Sequence, residues 1–223
     1  MGSSAVGSQR LLTLQVLLDC KLNIYLCRSV RQPSTVQKMA FTESKMLPLN
    51  TAAPDFNLPD TVSGKMLTLH DIAGSAATVI IFGCNHCPYV IHVNPEIVRL
   101  ANDYLPKGVG FVVISANDVE KYPVDAPEKM KELAQTVGYP FPYLFDETQE
   151  VARAYDAACT PDFYVFDKDL RLYYRGRLDD SRPNSGTPLT GRDLRAALDA
   201  VLAGDEPIAK QYPSAGCNIK WKH

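Results

Sequence analysis

A continuously apolar, β-rich run, Thr78-Val79-Ile80-Ile81-Phe82, is followed after one glycine by Cys84-Asn85-His86-Cys87-Pro88 and then by a helical pattern. A strand that is apolar at every position is one buried on both faces of a sheet. The two cysteines therefore lie at a strand-to-helix turn, the context that makes a two-residue cysteine spacing a redox motif. Two intervening residues let the sulfurs close a small disulfide ring around the first helical turn. The unsatisfied N–H groups and positive dipole end there stabilise a thiolate. On this reading Cys84 is the exposed nucleophile and Cys87 the shielded resolving thiol. His86 favours the thiolate further, and Asn85 and Pro88 complete the modulating positions. A more stable thiolate makes the disulfide more oxidising.

Two other readings of the pair are weighed against this one. A closed zinc site needs four ligands; the remaining cysteines are scattered, and His92 is the one nearby histidine that could join. The pair could also be two inert buried thiols. Neither matches the strand–turn–helix context as well, and no metal or organic cofactor is assigned.

The rest of the chain reads as α/β. The helix opening at Pro88 is expected to run to about Leu105, bent or restarted at Asn94-Pro95. Gly108 to Ser115 is a second buried strand, and Met130, Leu133, Ala134 and Val137 repeat at helical spacing. Upstream, Ala53 to Asp60 is extended, and Met66-Leu67-Thr68-Leu69 alternates as a short strand. Phe163 to Phe166 and Leu172 to Tyr174 flank Asp167-Lys168-Asp169, a β-hairpin pattern. Leu194, Ala197, Leu198, Val201 and Leu202 mark a last helix, with Thr190 and Asp193 as a capping box and Gly204 as its stop. Before the hairpin, Cys159-Thr160-Pro161 suggests a cis bond packed beside the cysteine pair, with Thr160 and Pro161 presenting backbone to a substrate.

Residues 1–45 are expected to be a poorly structured leader, 46–204 the globular domain and 205–223 a tail. The apolar stretch Leu11 to Leu18 is interrupted by Thr13 and Gln15 and ended by Asp19 and Lys21. It is far below the roughly 20 apolar residues that span a bilayer, and it makes a poor secretory signal. Composition narrows the function classes. The 223 residues are 46% hydrophobic and 22% charged, with a formal net charge of −2. That balance excludes a disordered or collagen-like chain and carries no electrostatic footprint for nucleic acid or an anionic membrane.

These motifs together resemble the thioredoxin-like superfamily, in its redoxin branch of alkyl hydroperoxide reductase and thiol-specific antioxidant relatives. The resemblance rests on Ala53 to Asp60, on the strand–Cys84…Cys87–helix unit, and on Thr160-Pro161 followed by Phe166-Asp167 and Tyr174-Arg175-Gly176. It implies a thioredoxin fold: a central mixed sheet flanked by helices, with an N-terminal β extension. His86 is similar to the choice in protein disulfide isomerase. Thr78 stands where thioredoxin has a buried aspartate. Cys84 replaces the Thr or Ser that peroxiredoxins place three residues before their reactive cysteine, and Pro161 stands near their activating arginine. Both substitutions favour disulfide exchange.

The expected function is therefore thiol–disulfide exchange in the cytoplasm. Its partners are protein or low-molecular-weight disulfides and a thiol reductant. The alternatives are a peroxiredoxin-like antioxidant peroxidase and a Cu(I)-handling metallochaperone using Cys84, Cys87 and a histidine. Cys159, close to the cis-proline, and Cys217, in the tail, are candidate auxiliary thiols. Cys20 and Cys27 belong to the leader.

Overall fold

The computed structural model of the protein describes residues 41–222. Cys20, Cys27 and the first forty residues of the expected leader lie outside the described residues. The described chain begins with β1 (Phe41–Glu43), followed by β2 (Asn57–Pro59) and β3 (Met66–Thr68), which pair antiparallel. Leu69, read above as the end of that strand, instead opens a short helix, α1 (Leu69–Ile72). Thr68 Oγ1 accepts the Asp71 N–H at 3.3 Å, and the Asp71 carboxylate accepts the Thr68 N–H at 2.8 Å. This reciprocal cap ends the strand where apolar alternation alone would extend it.

Next come β4 (Ala77–Phe82), α2 (Pro88–Tyr104), β5 (Val109–Ser115), α3 (Pro127–Val137) and β6 (Tyr143–Phe145). The chain continues through α4 (Glu150–Ala154), β7 (Cys159–Thr160), β8 (Asp162–Asp167), β9 (Leu172–Gly176), α5 (Arg192–Ala203) and β10 (Ala215–Asn218). The central sheet has the order β6-β5-β4-β8-β9. β4, β5 and β6 are parallel, and β8 and β9 are antiparallel to their neighbours.

Side chains alternate across a strand, so β4 feeds two cores. Val79 and Ile81 pack with Val93, Ile97 and Leu100 of α2 and with Leu194 and Leu198 of α5. Ile80 and Phe82 pack on the opposite face with Phe56, Tyr155 and Tyr164. Helices cover both faces, which is why β4 reads as unbroken apolar sequence. Helix α2 is continuous despite Pro95 in its interior, so the expected restart does not occur. The buried Glu96 ties it to α5 by accepting from Arg195 Nη2 at 2.8 Å.

The start of α5 also departs from the expected capping box. Its N-cap is Gly191, in the left-handed region at φ 66°. The Asp179 carboxylate accepts the N–H groups of Thr190 and Gly191, both at 2.7 Å. Asp193 pairs instead with Arg177 at 2.6 Å. The first-turn N–H groups of Asp193 and Leu194 donate to the Leu178 carbonyl, both at 3.1 Å, so a remote backbone oxygen takes the capping role assigned to Thr190.

Both expected domain boundaries move outward. β10 lies between β1 and β7 in a three-stranded antiparallel sheet, with Cys217 opposite Phe41 on one side and Thr160 on the other. The end of the leader and the tail are thus part of the fold. Strands of three and four residues, paired to remote partners, leave almost no periodic trace in sequence.

Candidate active site

β4 ends at Phe82, and the Gly83 N–H donates to the Ile114 carbonyl of β5 at 3.0 Å. The chain then turns through Cys84, Asn85 and His86 into Cys87, the N-cap residue of α2, with Pro88 in the first helical turn. Proline suits that position because its missing N–H would have no helical partner there. Cys84 is therefore three residues short of the helix, and Cys87 is the sulfur at its N-terminus.

Three sulfurs meet at this point. Cys87 Sγ lies 2.7 Å from Cys217 Sγ and 3.2 Å from the Thr160 carbonyl oxygen. Cys84 Sγ lies 3.5 Å from Thr160 Oγ1. Cys84, Cys87 and Cys217 are 1%, 0% and 2% exposed, and they form one small apolar cluster with Val90 and Tyr89. All are free thiols. Cys159 is also buried, but its sulfur faces the Pro161 carbonyl at 3.8 Å rather than the cluster. Burial first, then the Asp162 charge, push its thiol up.

The neighbouring Cys217 and Cys84 sulfurs, aided by Thr160 and the Val90 N–H, outweigh burial and lower Cys87 from the ordinary cysteine value. Cys84 is pushed up by its bond to Cys87, by burial and by the nearby Asp125 carboxylate. Cys217 is pushed up by its bond to Cys87 and by burial. The sequence expectation of an exposed Cys84 is corrected: neither sulfur of the pair is exposed.

Asn85 and His86 are held by Asp125, a fully buried residue in the loop after β5. Asp125 Oδ1 accepts the Asn85 N–H at 2.8 Å. Its Oδ2 lies 2.7 Å from His86 Nδ1 and accepts from Asn117 Nδ2 at 2.8 Å. Asn85 Oδ1 accepts the Tyr143 hydroxyl at 3.0 Å, and the His86 ring stacks on Tyr122 with an interplanar angle of 3°. His86 is thus anchored to a carboxylate. Cys84 Sγ, a His86 ring nitrogen and an Asp125 oxygen lie within 4.8 Å of one another. His92 stands apart, 3.0 Å from Ser181 Oγ.

Sequence reasoning missed Asp125, Asn117, Tyr122 and Tyr143. The available signal was positional: a proline-flanked loop after the second buried strand lies at the end of the sheet where α/β sites gather.

The Thr160–Pro161 peptide is cis, as the sequence anticipates. Its expected role as a free substrate edge is corrected, because β10 already pairs with Thr160. Gly216 permits this close approach: a Cβ there would collide with the Thr160 carbonyl oxygen. A surface depression lined by Tyr89, His92, Pro161, Phe163, Ser181 and Ala215 opens beside the cis-proline.

The comparisons with known proteins agree with this geometry. The AhpC/TSA family model matches residues 49–175, more than half of the chain. An uncharacterized conserved protein from Geobacillus kaustophilus, known as a crystal structure, is 62% identical with a TM-score of 0.81. That match covers 82% of this chain and 97% of the other. The thiol-disulfide oxidoreductase ResA of Geobacillus thermodenitrificans (strain NG80-2) is 24% identical over 173 residues, 75% of this chain and 86% of that protein. A putative thiol:disulfide interchange protein DsbE from Chlorobium tepidum shares the fold at a TM-score of 0.56 and 20% identity, over 70% of this chain and 99% of that one. With a mixed sheet flanked by helices and paired cysteines at a strand-to-helix turn, the chain belongs to the AhpC/TSA family and is a thioredoxin-fold oxidoreductase.

Proposed function

We propose that the protein exchanges disulfides through the Cys84-Asn85-His86-Cys87 dithiol, with Cys87 as the attacking sulfur. The observation that carries this reading is the position of Cys87: it is the N-cap residue of α2, its sulfur meets Cys217 at 2.7 Å, and its thiol is the one of the three that is lowered. The Cys87 thiolate attacks one sulfur of a substrate disulfide and forms a mixed disulfide. The other substrate sulfur leaves as a thiolate and takes up a proton. Cys84 then attacks Cys87 Sγ, loses its own proton, and releases the second substrate thiol. The products are a Cys84–Cys87 disulfide and a reduced substrate, and a thiol reductant reverses the change in the protein. Substrates are protein or low-molecular-weight disulfides. Asp125 fixes the turn between the two sulfurs, so the geometry is retained as bonds form and break.

Disulfide reduction by the wild type, Cys84→Ser and Cys87→Ser tests the proposal. Loss of turnover in both variants supports it; full activity in Cys87→Ser sinks it.

A second reading has its own observation. The sulfurs are exposed by no more than 2%, and a small oxidant such as hydrogen peroxide needs less access to them than a disulfide substrate does. Peroxide consumption with dithiothreitol as reductant, retained in Cys84→Ser, favours that peroxidase reading.

A further inference from the structure

The third sulfur of the cluster has no part in the cycle described above, yet it is placed as closely as either member of the pair. Cys217 Sγ lies 2.7 Å from Cys87 Sγ, nearer than ordinary contact between unbonded sulfur atoms. The placement is built from both ends of β10. The Ser214 N–H donates to Ser44 Oγ at 3.0 Å, and Ser214 Oγ donates to the Gly176 carbonyl at 2.6 Å. Beyond the strand, the Lys220 N–H donates to Asn117 Oδ1 at 2.9 Å. Between these anchors the strand register sets Cys217 directly opposite Thr160. Cys159 gives a contrast within the same fold: it adjoins Thr160 in sequence, but its sulfur turns away to the Pro161 carbonyl.

We propose that Cys217 is a third catalytic thiol: it attacks Cys87 in the Cys84–Cys87 disulfide and carries the disulfide onto the C-terminal strand. The step rests on the dithiol reading above. The Cys217 sulfur, giving up its proton, forms a bond to Cys87 Sγ. The Cys84–Cys87 bond breaks, and its electron pair leaves on Cys84, which takes up a proton. One disulfide is exchanged for another, so no external oxidant or reductant is consumed. The cluster sets the Cys217 sulfur 2.7 Å from Cys87 Sγ, so the exchange is intramolecular. The result is an oxidised form in which β10 is covalently fastened to the N-terminus of α2 and Cys84 is again a free thiol.

The test is disulfide mapping on the full chain. Reduced protein is oxidised with one equivalent of diamide, quenched in acid, alkylated with N-ethylmaleimide and analysed as peptides by mass spectrometry. Peptides joining Cys87 to Cys217 are expected in the wild type beside the Cys84–Cys87 species. They are expected to dominate in Cys84→Ser, and to vanish in Cys217→Ser, where only the Cys84–Cys87 bond remains. Cys159→Ser, outside the cluster, is expected to map like the wild type. The proposal is overturned when wild type and Cys84→Ser both lack the Cys87–Cys217 bond while Cys84–Cys87 forms and disulfide reduction proceeds, an outcome that leaves the dithiol reading intact. A Cys87–Cys217 bond in a protein without disulfide reductase activity supports the third thiol and removes the dithiol function. Rapid quenching adds the order of events: Cys84–Cys87 first, Cys87–Cys217 at its expense. The reverse order overturns the proposed step.

Discussion

At the scale of single residues, the site is defined by three buried cysteines at one helix N-terminus. Their proximity splits their acidities. Cys87 is shifted down, and Cys84 and Cys217 are shifted up. The reduced protein is therefore expected to show one thiolate per chain at neutral pH, by absorbance at 240 nm. That signal disappears in Cys87→Ser, and in Cys217→Ser its titration midpoint moves to higher pH because a donor is lost. A wild-type midpoint at the ordinary cysteine value, about 8.5, contradicts this. The cysteine pair was legible in sequence because its chemistry is local: strand, turn, helix and spacing are all contiguous. Asp125 was not legible, since its identity as an anchor depends on Asn85, His86 and Asn117 converging on it. Asp125→Ala leaves the buried donors of Asn85 and Asn117 without an acceptor. It is expected to cost about 3 kcal/mol in urea denaturation.

At the scale of elements, β4, β5, the β8–β9 hairpin and α5 followed from periodicity, which is a property of each segment alone. The segments that were misjudged owe their structure to remote partners. The first turn of α5 donates to the remote Leu178 carbonyl, and Asp179 holds the Thr190–Gly191 turn that leads into it. Burial raises the Asp179 carboxyl, but the bonds from Ser181, Thr190 and Gly191 outweigh it, and the net shift is downward. A carboxyl lowered on folding adds stability that is present above its unfolded value, about 3.9, and is lost as pH falls through the folded one. The urea midpoint of the wild type is thus expected to fall more steeply with acidification below pH 4 than that of Asp179→Asn. Parallel pH profiles for the two proteins rule out this role.

At the scale of the whole molecule, two cores on either side of one sheet give a rigid frame, and β1 and β10 close over its reactive end. The tail is part of that frame as well as a cover, since Ile219 is buried in the second core. Removing residues 214–223 is expected to speed alkylation of Cys87 by iodoacetamide at least tenfold and to lower the melting temperature. An unchanged alkylation rate means that β10 does not control access. None of this cover was visible in the sequence, where 205–223 reads as polar tail; its order comes from pairing with segments more than fifty residues away.

Gly216 turns this cover into a gauge. With hydrogen as its side chain, it lets β10 ride directly on the Thr160 carbonyl. Gly216→Ala inserts a shim one carbon thick, next to Cys217 in sequence and on an otherwise preserved strand. If contact between Cys87 and Cys217 depends on that seating, the shim lifts one sulfur from the other without altering either. The spacing between two strands, set by one missing methyl group, then determines how many of the protein's thiols act together.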